Sequence, residues 1–530
     1  MVLYVLGIAV IILLCIIAEK FSDRFGLPAL ILFMFIGMVF GSDGLFKIEF
    51  DNFSFAETSC SIALVFIMFY GGFNTKWSAA KPVAGRAIAL STAGVILTAG
   101  ITTVLCHYIL KISFPESFLV GAVLSSTDAA SVFAILRKKK LNLKDGTASI
   151  LEVESGSNDP IAYMLTMIAI GFLGSSGSQN VALMVVLQIS VGVLIGIVTA
   201  IASVKIMTRT DIISDGLDTI FVIAMVFLCF GVSSALKGNA YLSLYLYGII
   251  LGNSRICNKQ TLIHFFDGVT SLSQIFVFFL IGLLSYPHLM PQIMFTSAVI
   301  VIVLTFIARP IAVYLLMLPC KCSMRQCLLI SWAGLRGASS CVFAIMAVAS
   351  GISMKEDLFH IVFMVTLFSV AIQGGLLPLV ADKLQMVDDK TDVRKSFNDY
   401  QEETALQLMR MYIPEGHNWS NKKIKEVSMP YGSLALMIKR DGKTIITKGD
   451  TKIKPGDTVI LSVPPYVPTD EETLEEIVID KDNKWCGKHI GDLDLSKDEL
   501  IALILRNDET IIPDGKTIIA ENDTVVLYRE

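Results

Sequence analysis

The chain of 530 residues carries 43 Lys and Arg against 47 Asp and Glu, a net charge of −4, with 54% apolar and 17% charged residues. A mean hydropathy of +0.67 excludes an ordinary soluble protein, which is nearer a quarter charged, and the balance of charge lacks the basic excess of a nucleic-acid binder. Long apolar runs fill residues 1–386 and ordinary soluble composition fills 387–530, so a polytopic membrane protein with a soluble tail is expected. No basic residue precedes the first apolar run and no small-residue cleavage site follows it, which reads as a retained first helix rather than a signal peptide.

A spanning helix needs about 20 mostly apolar residues. Such stretches lie near 3–19, 26–42, 57–73, 87–110, 117–136, 150–173, 181–204, 216–236, 240–253, 265–286, 292–317, 326–350 and 357–381, thirteen in all, of which the ninth is short. With the N-terminus outside, the inner loops carry sixteen Lys and Arg, among them the run Arg137-Lys138-Lys139-Lys140, and the outer loops only Lys47, Lys111, Lys237 and Lys355. This asymmetry sets the orientation, and an odd count then leaves the tail in the cytoplasm.

Charged and hydroxyl residues inside the spans are costly in lipid and mark function by default. The fifth span holds Ser125-Ser126-Thr127-Asp128 at its middle, which predicts a broken helix whose freed backbone groups are met by side chains. The sixth opens Glu154-Ser155-Gly156-Ser157-Asn158-Asp159-Pro160, placing Ser155 and Asp159 on one helix face. The eleventh holds Arg309 before Pro310, and the twelfth is interrupted at Gly334-Leu335-Arg336-Gly337. Paired interrupted helices in two halves are the pointer to an inverted-repeat secondary transporter with its site at the midplane. Glu154 and Arg336, buried and opposite in charge, are expected to pair as a structural bridge. Most of the ten cysteines stand singly in apolar runs; Cys320, Cys322 and Cys327 cluster but lack a fourth ligand or a nearby histidine, so no metal site and no cofactor is expected. The histidines are scattered and no nucleophile stands near a base, so no enzymatic activity is expected either.

These motifs, in this order, resemble the monovalent cation:proton antiporters, most nearly the NhaP-like sodium/proton and potassium/proton exchangers. The resemblance covers roughly residues 1–385 and extends to Phe69-Tyr70-Gly71-Gly72 and Leu246-Tyr247-Gly248. It implies about 13 helices with two broken crossing helices, a homodimer in the plasma membrane among its lipids, and a core that rocks against a dimerisation domain. Residue by residue it implies that Asp159 binds cation and proton in competition, that Ser155 and Thr127 add oxygens, and that Asn158 is the neutral member of an Asn-Asp pair. Asp128 would neutralise the facing helix ends at the crossover. One titrating carboxylate suggests one proton per ion, hence electroneutral exchange. Where the family often has an acid before the double glycine, this chain has Tyr70; the weaker field favours potassium over sodium and makes Tyr70 a selectivity candidate. A sodium-selective antiporter remains the alternative.

Beyond a linker at 387–403, an internal repeat runs without gaps at an offset of 66 residues: Trp419 on Trp485, Leu434 on Leu500, Arg440 on Arg506 and Asp457-Thr458-Val459 on Asp523-Thr524-Val525. Two modules of short β segments are expected, 404–465 and 466–530. The first resembles the TrkA-C domain, the C-terminal lobe of RCK regulators of potassium transport, and the repeat extends that likeness to the second. The resemblance implies a small α+β fold, pairing through sheets and cyclic di-AMP as a candidate regulatory ligand. No Gly-x-Gly-x-x-Gly turn accompanies it, so the nucleotide-binding lobe is expected to be absent. Rivals of another class, a TrkA-C-gated cation channel or a membrane ligand sensor, fare worse: no carbonyl filter loop is visible, and a sensor leaves Thr127-Asp128 and Asn158-Asp159 without a purpose.

Overall fold

Apolar runs become helices in the computed structural model, which describes all residues but 1, 26–27, 140, 175–179, 210–216, 257, 353, 355–356, 389–406, 430–432, 441–442, 464–472, 482, 494, 496–498, 507–508, 512 and 530. The helices are α1 (Val2–Phe25), α2 (Ala29–Phe40), α3 (Phe53–Asn74), α4 (Trp77–Leu110), α5 (Phe114–Val123), α6 (Ala129–Lys138), α7 (Thr147–Leu173) and α8 (Val181–Arg209). They continue as α9 (Asp218–Ala235), α10 (Ala240–Gly252), α11 (Lys259–Leu283), α12 (Pro287–Met317), α13 (Met324–Trp332), α14 (Ala338–Ala349) and α15 (Leu358–Lys383). Among the described residues eight segments are long and apolar enough to cross a membrane by length and composition, and α2, α5, α10 and α14 are shorter apolar helices. The fifth predicted span is thus the pair α5 and α6, and the twelfth the pair α13 and α14.

Short polar side chains fix where several helices begin. Asn52, Asn239 and Ser323 accept the first free N–H groups of α3, α10 and α13, from Phe55, Leu242 and Gln326, and Asp357 does the same for His360 of α15. Ser113 accepts the N–H of Glu116 at the start of α5 and donates to its carboxylate at 2.7 Å. The long helices α4, α12 and α15 each contain a π-helical stretch, at Leu90–Gly94, Leu304–Ala308 and Ser369–Gly374. Such turns rotate the residues beyond them and often stand at functional sites.

Two sets of helices are distinguishable by packing. In one, α3 lies along α10 and α11, α2 along α11, and α8 along α10. Bare glycine backbone permits the α3–α10 approach: a Cβ on Gly248 would stand 2.3 Å from the carbonyl oxygen of Phe69. Phe69 then meets Phe73, Tyr247 and Phe266 at ring separations of 5.6, 5.1 and 4.9 Å. Lipid tails are as apolar as these side chains, so close packing, rather than the hydrophobic effect, holds the helices together. In the other set α5 packs on α4 and α7, and α15 on α12 and α14. The sets meet where α14 runs along α3 and α7 touches α10. A two-residue ladder joins β1 (Asn142–Leu143) to β2 (Val387–Asp388).

A second compact unit, Glu402–Glu530, holds the repeat. Its strands are β3 (Gln407–Tyr412), β4 (Leu434–Arg440), β5 (Lys443–Ile446) and β6 (Thr458–Val463), then β7 (Thr473–Val478), β8 (Glu499–Arg506), β9 (Glu509–Ile511) and β10 (Thr524–Arg529). They form two antiparallel sheets of matching order, β3-β6-β4-β5 and β7-β10-β8-β9. The cores match position by position at the repeat offset: Ile413, Ala435, Ile438, Ile453, Val459 and Leu461 against Ile479, Ile501, Ile504, Ile519, Val525 and Leu527. Among the described residues the helical part of this unit is confined to short 3₁₀ turns at Ile424–Glu426 and Ile490–Asp492.

Candidate functional site

Helical structure is interrupted inside two of the predicted spans, over 124–128 between α5 and α6 and over 333–337 between α13 and α14. The two breaks cross and satisfy one another. Asp128 donates its N–H to the carbonyl of Leu335 at 2.8 Å, and Arg336 donates Nη1 to the carbonyl of Ser126 at 2.7 Å. The π turn of α15 supports the second break, since Ser369 Oγ accepts the N–H of Arg336 at 3.0 Å. In a low-dielectric interior each peptide group left open costs several kcal/mol, so these contacts are the condition for irregular backbone at this depth.

Asp128 lies between the N-terminal ends of α6 and α14. Its carboxylate accepts the Ser131 hydroxyl at 2.6 Å and the Ser131 N–H at 3.3 Å, both from the first turn of α6. It also presses on Gly337 at the start of α14, where a Cβ would come within 2.1 Å of Oδ2, so only glycine admits the carboxylate there. Negative charge at two helix N-termini is electrostatically favourable.

α7 presents Ser155, Asn158 and Asp159 to the first break, all of them buried. Ser155 donates to the carbonyl of Thr127 at 2.7 Å, and Asn158 Nδ2 donates to Thr127 Oγ1 at 2.5 Å. Two of the expected oxygen donors therefore hold the break in shape. Asn158 Oδ1 is buried and without a hydrogen-bond partner among the described residues. Asp159 accepts the hydroxyl of Ser126, which stands 2.7 Å from the hydroxyl of Ser339 on α14. Ser126 lies inside the first interrupted stretch and Ser339 in the first turn of α14 just after the second, yet neither was expected as a partner of Asp159; the signal was available, because two breaks that meet bring hydroxyls from both halves to one point.

The expected Glu154–Arg336 bridge is corrected. Glu154 Oε1 stands 2.6 Å from Arg309 Nη2, with both side chains at most 3% exposed. The contact is an ion pair by distance, but its angles fall outside hydrogen-bond geometry, and both carboxylate oxygens together with Arg309 Nε and Nη2 lack a hydrogen-bond partner. The physical reason is competition. Arg336 is engaged by a broken-backbone carbonyl, whereas the π turn Leu304–Ala308 immediately precedes Arg309 and re-aims it toward α7.

A cavity of about 390 Å³ ends on Asp159, Ser155, Thr127 and Ser339. Its walls carry further carboxylates, Glu19, Glu152 and Asp267, besides Asp128. Tyr70 lines it too, donating its hydroxyl to Asp267 Oδ1 at 3.1 Å. Asp267 on α11, a residue that the motif pattern did not single out, is thus tied to position 70 by a neutral hydroxyl donor rather than facing a second carboxylate there. A cavity walled by one sign of charge concentrates counter-ions, here cations. Among the described residues no group of three or more His, Cys, Asp or Glu is set to hold a metal.

The sodium/hydrogen exchanger transmembrane family matches residues 9–383, and the TrkA-C domain matches 408–465 and 474–528. The chain is 31% identical over 464 residues to the K(+)/H(+) antiporter NhaP of Alkalimonas amylolytica, covering 87% of this chain and 81% of that one. It is 30% identical over 443 residues to the K(+)/H(+) antiporter NhaP2 of Shewanella sp. (strain MR-4), covering 82% and 77%. The solved structure of the sodium proton antiporter MjNhaP1 from Methanocaldococcus jannaschii at pH 8 superposes with a TM-score of 0.63 at 21% identity, over 72% of this chain and 99% of that one.

Proposed function

The chain belongs to the sodium/hydrogen exchanger family, and from that premise we propose that it exchanges potassium for protons by alternating access, with Asp159 as the carboxylate that cation and proton share. The observation that carries this reading is the acidic cavity that ends on Asp159 at two crossed helix breaks. Burial disfavours an unpaired carboxylate, so Asp159 takes either a proton or a cation before the core moves. Ser126, Ser339 and Thr127 offer neutral oxygens around it, and neutral Asn158 leaves a single charge to compensate, which makes the exchange electroneutral. Potassium is favoured because the site has no carboxylate at position 70 and because the two relatives named above are K(+)/H(+) antiporters.

The protein is read as a plasma-membrane homodimer with its N-terminus outside, the cavity open to the cytoplasm and the tail cytoplasmic. The loop charges support that orientation. The tail is read as a regulator whose two modules pair through their sheets and take cyclic di-AMP. Each module exposes the same apolar position, Leu434 at 62% and Leu500 at 64%, and calorimetry of the full chain with cyclic di-AMP tests the ligand: no heat at high micromolar concentration removes it.

The exchange itself is tested in proteoliposomes with an imposed pH gradient, adding potassium and sodium in turn. Collapse of the gradient by potassium, unaffected by clamping the voltage, is expected. Equal responses to both ions would remove selectivity from Tyr70, and no response with the tail deleted would overturn the reading.

A further inference from the structure

Exchange needs access to Asp159 from both faces, and the cavity supplies one. On α7 its lining residues run from Glu152 to Asp159, and on α14 they are Ala338 and Ser339; nothing beyond these positions touches it. One helical turn further along each helix stand Tyr163, four residues after Asp159, and Phe343, four after Ser339. Their rings converge with that of Tyr241 on α10: Tyr163–Tyr241 at 5.1 Å, Tyr163–Phe343 at 6.0 Å and Tyr241–Phe343 at 6.3 Å. Tyr241 and Phe343 are 3% and 0% exposed, and Phe230 of α9 packs on Tyr241 at 5.8 Å. The plug therefore draws Tyr163 and Phe343 from one packing set and Tyr241, backed by Phe230 of α9, from the other, so a movement of one set against the other would part these rings.

An acid stands behind the plug. Glu57 is half-buried in the first third of α3, inside a segment long and apolar enough to cross a membrane. Ser61, one turn on, donates to Glu57 Oε1 at 3.4 Å, and its hydroxyl lies next to that of Tyr241. Glu57 thereby stands beside the plug. An ionisable group within a span is a functional candidate by default, and the cavity that serves Asp159 does not include this one.

We propose that Tyr163, Tyr241 and Phe343 are the gate of the second half-pathway, and that Glu57, beside the gate with Ser61, is the carboxylate that receives the monovalent cation on that face. The proposal rests on the exchange reading above. The competing account makes Glu57 a first-turn acid that only steadies the N-terminus of α3.

The test uses the full-length chain in vesicles of uniform orientation, with potassium titrated on one face at a time. Glu57→Gln is expected to raise the potassium KM about fivefold on its own face, since the charge that attracts the ion is gone, while KM on the cavity face and kcat stay unchanged. Should Glu57→Gln not assemble, Ser61→Ala keeps the charge but removes the hydroxyl on Oε1 while Thr58 stays on Oε2, and a rise of about twofold on the same face is expected. Unchanged KM on both faces, equal changes on both, or a loss of thermal stability without a KM shift would overturn the proposal. Exchange that survives Asp159→Asn, or no exchange by the wild type, would instead overturn the reading beneath it, so the two failures are distinguishable.

Discussion

Arginine meets carboxylate in both units of this chain, with different results. In the tail, Arg440 clasps Asp457 and Arg506 clasps Asp523 across the same separation of 17 residues, with paired contacts of 2.7 to 2.8 Å. Each arginine also donates to a neighbouring carbonyl, Lys452 or Ile518, at the equivalent position. In the membrane unit, Glu154 meets Arg309 at ion-pair distance without hydrogen-bond alignment, and the arginine expected there serves a broken helix instead. The tail pairs are local and bidentate, set by one small sheet. The membrane pair depends on three distant segments, so its partner is decided by backbone needs elsewhere.

The comparison breaks first at Asp159. Asp159→Asn is expected to abolish exchange in proteoliposomes while leaving the fold intact, since it removes the charge and keeps the shape. Next comes the buried pair: Glu154→Gln leaves Arg309 as an uncompensated buried charge and is expected to cost about 3–5 kcal/mol, read as a fall in thermal stability of the purified chain. A double-mutant cycle should give Glu154 a larger coupling with Arg309 than with Arg336; the reverse order would restore the discarded pairing.

In the tail, Arg506→Ala is expected to cost about 2–3 kcal/mol in the second module, because Asp523 is wholly buried although Arg506 is 36% exposed. Hydrogen exchange of the full chain resolves that module from the membrane unit. The Arg506 hydrogen bonds hold the Asp523 carboxyl below the usual carboxylate range, outweighing its burial. A depressed folded-state pKa contributes stability that is present above the ordinary carboxylate pKa and lost as pH falls through the lower folded value. Acid unfolding of the module should therefore lose part of its pH dependence below about pH 4 in Asp523→Asn. The smallest effect is expected at the cavity wall: Tyr70→Phe removes the hydroxyl from Asp267 and should change the potassium-to-sodium preference about twofold, read from exchange with each ion.

Much of the fold was legible because its signals are local. Runs such as Val2–Phe25 declare helices by length, and the breaks at Ser125–Asp128 and Gly334–Gly337 declare themselves by polarity and glycine inside such runs. The tail was legible because it is written twice, down to Ile438 and Ile504 in the two cores. The site was legible in its members and not in all its contacts. Ser126 reaches Asp159, and Tyr70 reaches Asp267 across 197 positions, through the register of packed helices. That register depends on features such as the π turns of α12 and α15, for which no residue pattern was read.

The central claim is that one carboxylate, Asp159, holds either a cation or a proton. The most direct measurement is proton release from the purified full-length chain in weakly buffered detergent solution when potassium is added near neutral pH. The account expects release of at most one proton per chain from the wild type, rising with the fraction of Asp159 that is protonated, because a cation displaces the proton from a shared ligand, and none from Asp159→Asn. Release that persists undiminished in Asp159→Asn would contradict it.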